Sequence, residues 1–175
     1  MGKLFVIFIS LVSFCGSVFA GYDKTEWGMS IAKVKKLYPG GVLKKEQGGR
    51  FNYSIVRVVG TISNAYTAFS FSSDKKLDSV FILIPKTGTD VDLNSGHIEF
   101  GDIDQYKNNF KFLSDLMKEK YGEPSSVSKE NMLVWDTKDA DFISLSLLNV
   151  NTKEPVHVGL YYKKLVPTKD LTKGL

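Results

Sequence analysis

The sequence predicts an α+β fold, an antiparallel sheet carrying one long helix and one short helix. Three observations predict it. Between Asp102 and Pro124, Ile103, Tyr106, Phe110, Leu113 and Met117 recur at spacings of three and four, with Leu116 beside them. That spacing gathers them into one apolar stripe on a helix. β-Branched and aromatic runs bounded by turn residues fill 51–84 and 132–165, which reads as strands and hairpins. The order is then helix, strands, helix, strands, which is an α+β pattern. An αβββ duplication is compatible with that order, although no internal sequence repeat supports it.

The long helix has its ends marked. Asp102 is a good N-cap and Gln105, three places on, completes a capping-box pattern. Asp102 and Asp104 complement the positive end of the helix dipole, Lys118 and Lys120 the negative end. Gly122 suits a left-handed C′ residue and Pro124 forbids continuation.

The short helix follows Trp27-Gly28-Met29-Ser30. Ser30 caps it, Ile31, Val34, Leu37 and Tyr38 form its apolar face, and Pro39-Gly40-Gly41 stops it. Its two turns need tertiary packing to persist. A strand around Val42 to Lys45 precedes a Gly48-Gly49 turn.

Tyr53 to Ile62 reads as one strand with Gly60 as a bulge, and Tyr66 to Ser72 as the next. Ser73 to Lys76 is a hairpin turn, Leu77 to Ile84 the return strand, and Pro85 its end. Apolar residues on both faces of Val80 to Ile84 mark a central strand. A polar loop, Lys86 to Gly101, leads to the long helix. Strands at Met132 to Asp136, Phe142 to Leu148 and Val156 to Leu165 then form a meander, turning at Lys138-Asp139 and Asn151 to Pro155.

Residues 1–20 read as a secretory signal peptide. Lys3 supplies the positive n-region, Leu4 to Phe14 the apolar h-region, and Val18-Phe19-Ala20 a cleavage site before Gly21. The apolar core is shorter than the roughly 20 residues of a spanning helix. Cys15 follows the bulky Phe14, which disfavours a lipid-modification site. The expected organisation is therefore a signal peptide at 1–20, one α+β domain at 21–165 and a polar tail at 166–175. The only Cys leaves with the leader, so the fold stands on its core rather than on disulfides. Export of a cysteine-free domain suits a periplasmic or secreted location, and no transmembrane anchor is expected after cleavage. The net charge is +4, or +3 once Lys3 is lost, and the basic residues are scattered pairs among acidic ones. Nucleic-acid binding would require a basic face with stacking aromatics, and is not expected.

Motifs that carry chemistry are sparse. Asp90, Asp92 and Asn94 match the first, third and fifth positions of a calcium loop. Ser95 then stands where Gly is needed and Gly101 where a bidentate Glu is needed, while His97, Glu99 and Asp102 fit no standard geometry. The segment reads as a solvated acidic loop. Ser30 to Lys33 matches a Ser-x-x-Lys motif and Lys86-Thr87-Gly88 a Lys-Thr-Gly motif. Ser73 to Lys76 and Ser126 to Lys129 match the former equally well, and no Ser-Asp-Asn exists, so that chemistry is rejected. His97 and His157 are the two histidines, and Glu26, Glu99 and Glu123 stand in no recognisable pairing. Trp27 and Trp135 could form a sugar platform but read as core anchors. No catalytic, cofactor-binding or metal-ligating residue is assigned, and no cofactor is expected.

Three segments carry a resemblance. They are Trp27-Gly28-Met29-Ser30 with Val34-Lys35, then Phe69-x-Phe71-x-x-Asp74-x-x-Leu77-x-x-Val80, then Leu116-x-x-x-Lys120-Tyr121-Gly122-x-Pro124 with Trp135 and Ile143-Ser144-Leu145 beyond. In that order the chain resembles a group of small secreted bacterial proteins of uncharacterised function, from about Trp27 to Leu165. It is more loosely similar to the helix-plus-sheet repeats of small envelope lipoproteins and of the β-lactamase inhibitor protein. The resemblance implies an exported α+β domain and carries over no catalytic residues.

The function expected from these readings is an exported binding or accessory module. It would act through a protein partner in the cell envelope or through self-association. The alternative is a small carboxylate-based, glycan-directed envelope enzyme. On the return strand, Leu77, Phe81 and Leu83 should face one side and Val80, Ile82 and Ile84 the other. Both helices should share one face of the sheet and leave part of the opposite face apolar.

Overall fold

The computed structural model describes residues 22–128, 131–137, 141–149 and 156–164; the expected signal peptide, the expected tail and the turns expected at Lys138-Asp139 and Asn151 to Pro155 lie outside them. Among these residues the order is α1 (Ile31–Leu37), β1 (Val42–Lys45), β2 (Phe51–Val59), β3 (Ile62–Phe71), β4 (Leu77–Ile84), α2 (Ile103–Tyr121), β5 (Ser126–Ser128), β6 (Met132–Asp136), β7 (Asp141–Leu148) and β8 (His157–Lys164). The strands form one antiparallel sheet, ordered β1-β2-β3-β4-β8-β7-β6-β5. One unit is thus written twice, a helix followed by a four-stranded meander. The last strands of the two meanders, β4 and β8, pair at the centre. Each unit has four strands rather than the three of an αβββ repeat; the sequence places four in the first unit but only three in the second. The strand missing from that reading is the first of the second unit, β5 (Ser126–Ser128), which has no apolar run and exists by pairing with β6.

Both helices end on the same device. Tyr53, on the second strand of the first unit, donates its hydroxyl to the carbonyl of the α1 C-cap, Tyr38, at 2.6 Å. Trp135, on the second strand of the second unit, donates Nε1 to the carbonyl of the α2 C-cap, Gly122, at 2.9 Å. Each buried aromatic thereby satisfies a helix-end carbonyl that has no partner within its helix.

Directly opposed residues of an antiparallel pair share a face, so the register sorts the side chains. Tyr53, Phe69, Val80, Tyr162 and Ile143 fall on one face, as do Thr67, Ile82, Leu160 and Leu145. Both helices cover this face. Tyr38, at the end of α1, stacks on Phe69 with ring centroids 4.9 Å apart, and Tyr106, Leu113 and Met117 of α2 join the same core. The two helices do share a face, as the patterning predicts.

Several local expectations need correction. Tyr53 to Ile62 is not one bulged strand. Gly60, at φ +59°, sits in the turn of a β2–β3 hairpin, and the irregular pairing lies beside it between Arg57 and Val59. Leu77 does not share a face with Phe81 and Leu83. The register slips between Ser70 and Phe71, where Asp78 is the extra residue, and Leu77 turns into the core with Val80.

The α2 stripe is narrower than expected, because Ile103 and Leu116 are more than a third exposed. Asp102 caps Gln105 N at 2.8 Å, but the Gln105 amide turns to the Pro85 carbonyl, so the capping box is half formed. Gly122 has φ 82° and ψ −166°, which is not left-handed helix but a region essentially restricted to glycine. In α1, Ser30 caps Lys33 N as expected, Val34 and Tyr38 are buried, and Leu37 is exposed.

Candidate functional site

The residues that could carry chemistry do not converge. Glu26, Glu99 and Glu123 are all exposed, and Glu123 pairs with Lys118 at 3.0 Å on the surface. Among the described residues the buried polar side chains are all hydroxyls, and no three of His, Cys, Asp and Glu gather at metal-ligating distance. Asp92 spends its carboxylate on the loop itself. It accepts from Asn94 N at 2.9 Å, and a hydrogen bond from Ser95 first, then that from Asn94, holds its carboxyl below the usual range. His97 pairs across the same turn as a one-residue bridge to Asp92, and His157 lies against the Phe100 ring, centroids 4.9 Å apart. The Ser30 hydroxyl is a helix cap, the Lys86 carbonyl receives the Asn64 amide, and Trp135 is a core anchor.

The helix-bearing face holds one polar cluster that sequence reasoning missed. Arg57 pairs with Asp23 at 3.0 Å, and Tyr38 donates to the same Asp23 oxygen at 2.9 Å. The guanidinium lies over the Tyr22 and Tyr38 rings, 5.5 and 5.3 Å from their centroids. Burial pushes the phenols of Tyr22 and Tyr38 above their ordinary value, with Arg57 pulling the other way. This cluster straps the start of the domain onto the sheet. Its one sequence signal is an Arg inside the β-branched run Ile55 to Val59. Beside the strap, Tyr22, Leu116, Met117 and Tyr162 border an apolar cleft of about 470 Å³ between α2 and the sheet. Apart from Glu119 and Lys120, its lining is apolar or phenolic.

The opposite face carries no helix. There Ser79 of β4 opposes Lys163, Phe81 opposes Tyr161, and Leu83 opposes Gly159, while Ser144 and Ser146 of β7 oppose Tyr161 and Gly159. Phe81 and Tyr161 meet edge to face, centroids 6.5 Å apart. A Cβ on Gly159 would come within 3.0 Å of the Phe81 ring and 3.5 Å of Leu148, so both side chains lie against that glycine. Phe81, Tyr161, Phe142 and Tyr66 are half-buried and Leu148 is 37 % exposed. The centre of this face is therefore a set of aromatic and aliphatic side chains standing on a floor of Ser and Gly, with Lys163 at one end. At its β1 side, Lys44 donates to the Asn94 carbonyl at 2.7 Å, which draws the tip of the 86–101 loop onto that edge.

Among the described residues no helix is long and apolar enough to cross a membrane. Comparison with protein-family models, curated proteins and solved structures finds no match.

Proposed function

We propose that the chain is an exported binding or accessory module that docks a protein partner on the helix-free face of its sheet. One observation carries the reading: Phe81, Tyr161 and Leu148 stand half-covered around Gly159, Ser144 and Ser146, with no charged side chain among them. Protein interfaces concentrate aromatic residues at a core from which charge is depleted. Tyr supplies rigid contact area at low entropic cost, and small hydroxyl residues adapt their hydrogen bonds to the partner. A carboxylate-based enzyme would instead need paired acids in a cleft, whereas Glu26, Glu99 and Glu123 stand apart on the surface.

The test is capture from a bacterial envelope extract, with the exported protein immobilised and Phe81→Lys as its control. A specific partner retained by the wild type and lost by the variant is the expected result. Self-association through the same face would show as a dimer in sedimentation that Phe81→Lys dissociates. Equal capture by the two proteins would overturn the assignment.

A further inference from the structure

The first strand of the sheet has an unoccupied side. No described strand pairs with β1 beyond β2. Glu46 N donates to the Arg50 carbonyl at 2.9 Å, which fixes the alternation of the β1–β2 ladder. Antiparallel partners exchange hydrogen bonds at every second pair, so Val42 and Lys44 bond inward. The N–H and C=O groups of Leu43 and Lys45 then point away from the sheet.

On the helix-bearing side of this edge, α1, the first two strands and the β3–β4 turn border an open hollow of about 410 Å³. Ile31, Leu43 and Phe51 give it apolar walls, and Lys35 and Lys75 stand at its rim. Leu43 is 39 % exposed there. Lys35 Nζ lies 5.9 Å from the Tyr53 ring centroid and Lys75 Nζ 5.7 Å from that of Phe51. Among the described residues neither ammonium has an ion-pair partner, and no carboxylate borders the hollow. The nearby Asp74 is engaged by the Ser72 hydroxyl. Lys36, Lys44 and Lys45 add positive charge around it, offset in part by Glu46, which follows Lys45 and accepts from the Asn52 amide.

We infer that this edge is a second docking site, which takes an extended acidic peptide of a partner protein as an added strand on β1. An added strand gains its affinity from main-chain bonds, here to Leu43 and Lys45, and its specificity from pockets for alternate side chains. The hollow accepts one apolar side chain beside Leu43 and Phe51. Residues two places before and after it lie on the same face of the peptide, where carboxylates meet Lys35 and Lys75. The lysines also set the sign of the partner. They repel a second copy of the same edge, a known guard against edge-to-edge aggregation, and attract an acidic strand.

The surface is separate from the helix-free face, so either assignment can fail alone. The probe is a capped peptide, ETVTE, titrated into the exported protein and followed by amide NMR, with KTVTK as its charge-reversed control. Saturable shifts at the Leu43 and Lys45 amides are expected with ETVTE and not with KTVTK. Of two peptides N-methylated on alternate residues, one should lose binding and the other retain it, because only one set of amides faces β1. Lys35→Glu with Lys75→Glu, both exposed and compatible with folding, should weaken binding about tenfold or more. Equal binding of the two peptides, indifference to N-methylation, or shifts confined to Phe81 and Tyr161 would overturn the proposal, as would no saturation with ETVTE.

Discussion

Adjacent residues of one strand, Phe81 and Ile82, show how differently the two faces of this sheet are used. Ile82 is fully buried under the helices, while Phe81 lies half-covered on the helix-free side. Both faces are apolar at β4, so residue type alone does not separate them. The helix-bearing face packs large side chains against one another: Tyr38 on Phe69, Tyr22 on Tyr162, Leu113 and Met117 into the sheet. The helix-free face alternates large side chains with Ser and Gly, which fill little volume and leave Phe81 and Tyr161 half-covered, although Leu83 and Val134 on the same face are buried. Apolar content makes a strand central; the size of the neighbours decides whether a face becomes core or contact surface.

Phenylalanines on the two faces give the sharpest contrast. Phe69→Ala should destabilise by roughly 3–5 kcal/mol, the range for a buried Phe, whereas Phe81→Ala should cost less than about 1.5 kcal/mol. Denaturant unfolding of the pair reads both. Similar losses would erase the distinction between the faces.

Gly122→Ala addresses the helix that makes one face a core. At φ 82° and ψ −166° the new side chain is strained by about 1–3 kcal/mol. Open space around the position, where an added Cβ meets nothing within 4 Å, makes the loss a backbone effect rather than a clash. An unchanged melting temperature would mean that α2 can end without glycine.

Alkaline titration tests the helix-bearing face as a whole. Burial raises the phenols of Tyr22, Tyr38, Tyr106 and Tyr162 above the ordinary value, and all four lie on that side. A phenol whose folded pKa exceeds its unfolded value stabilises the fold below the unfolded pKa, near 10, and that stability is lost as pH rises towards the folded value. Stability should therefore fall above about pH 10, and part of the phenolate absorbance should appear only with unfolding. Full tyrosine titration in a still-folded protein would contradict the packing described.

Much of this was legible in the sequence where local signals were redundant. The caps at Ser30 and Asp102, the glycine after α2 and the strand Leu77–Ile84 fall where propensity, periodicity and stop residues agree. The misses have physical causes. The Asp78 irregularity, which sends Leu77 to the other face, depends on cross-strand register that no local pattern encodes. β5 is held by its partner alone. The Asp23–Arg57 strap joins residues far apart in sequence, and the Gly159 seat of Phe81 needs β4 and β8 paired before it exists.

The central claim is that one sheet has a core face and a contact face divided between neighbouring residues. Its most direct test is equilibrium unfolding of Phe81→Lys beside Ile82→Lys. At position 81 the ammonium can reach solvent along the helix-free face, so the variant should unfold within about 1 kcal/mol of the wild type, as a surface change does. At position 82 an unpaired charge would be buried beneath α2, and the protein should fail to fold or lose most of its stability. Loss of folding in both variants, or in neither, would contradict the division.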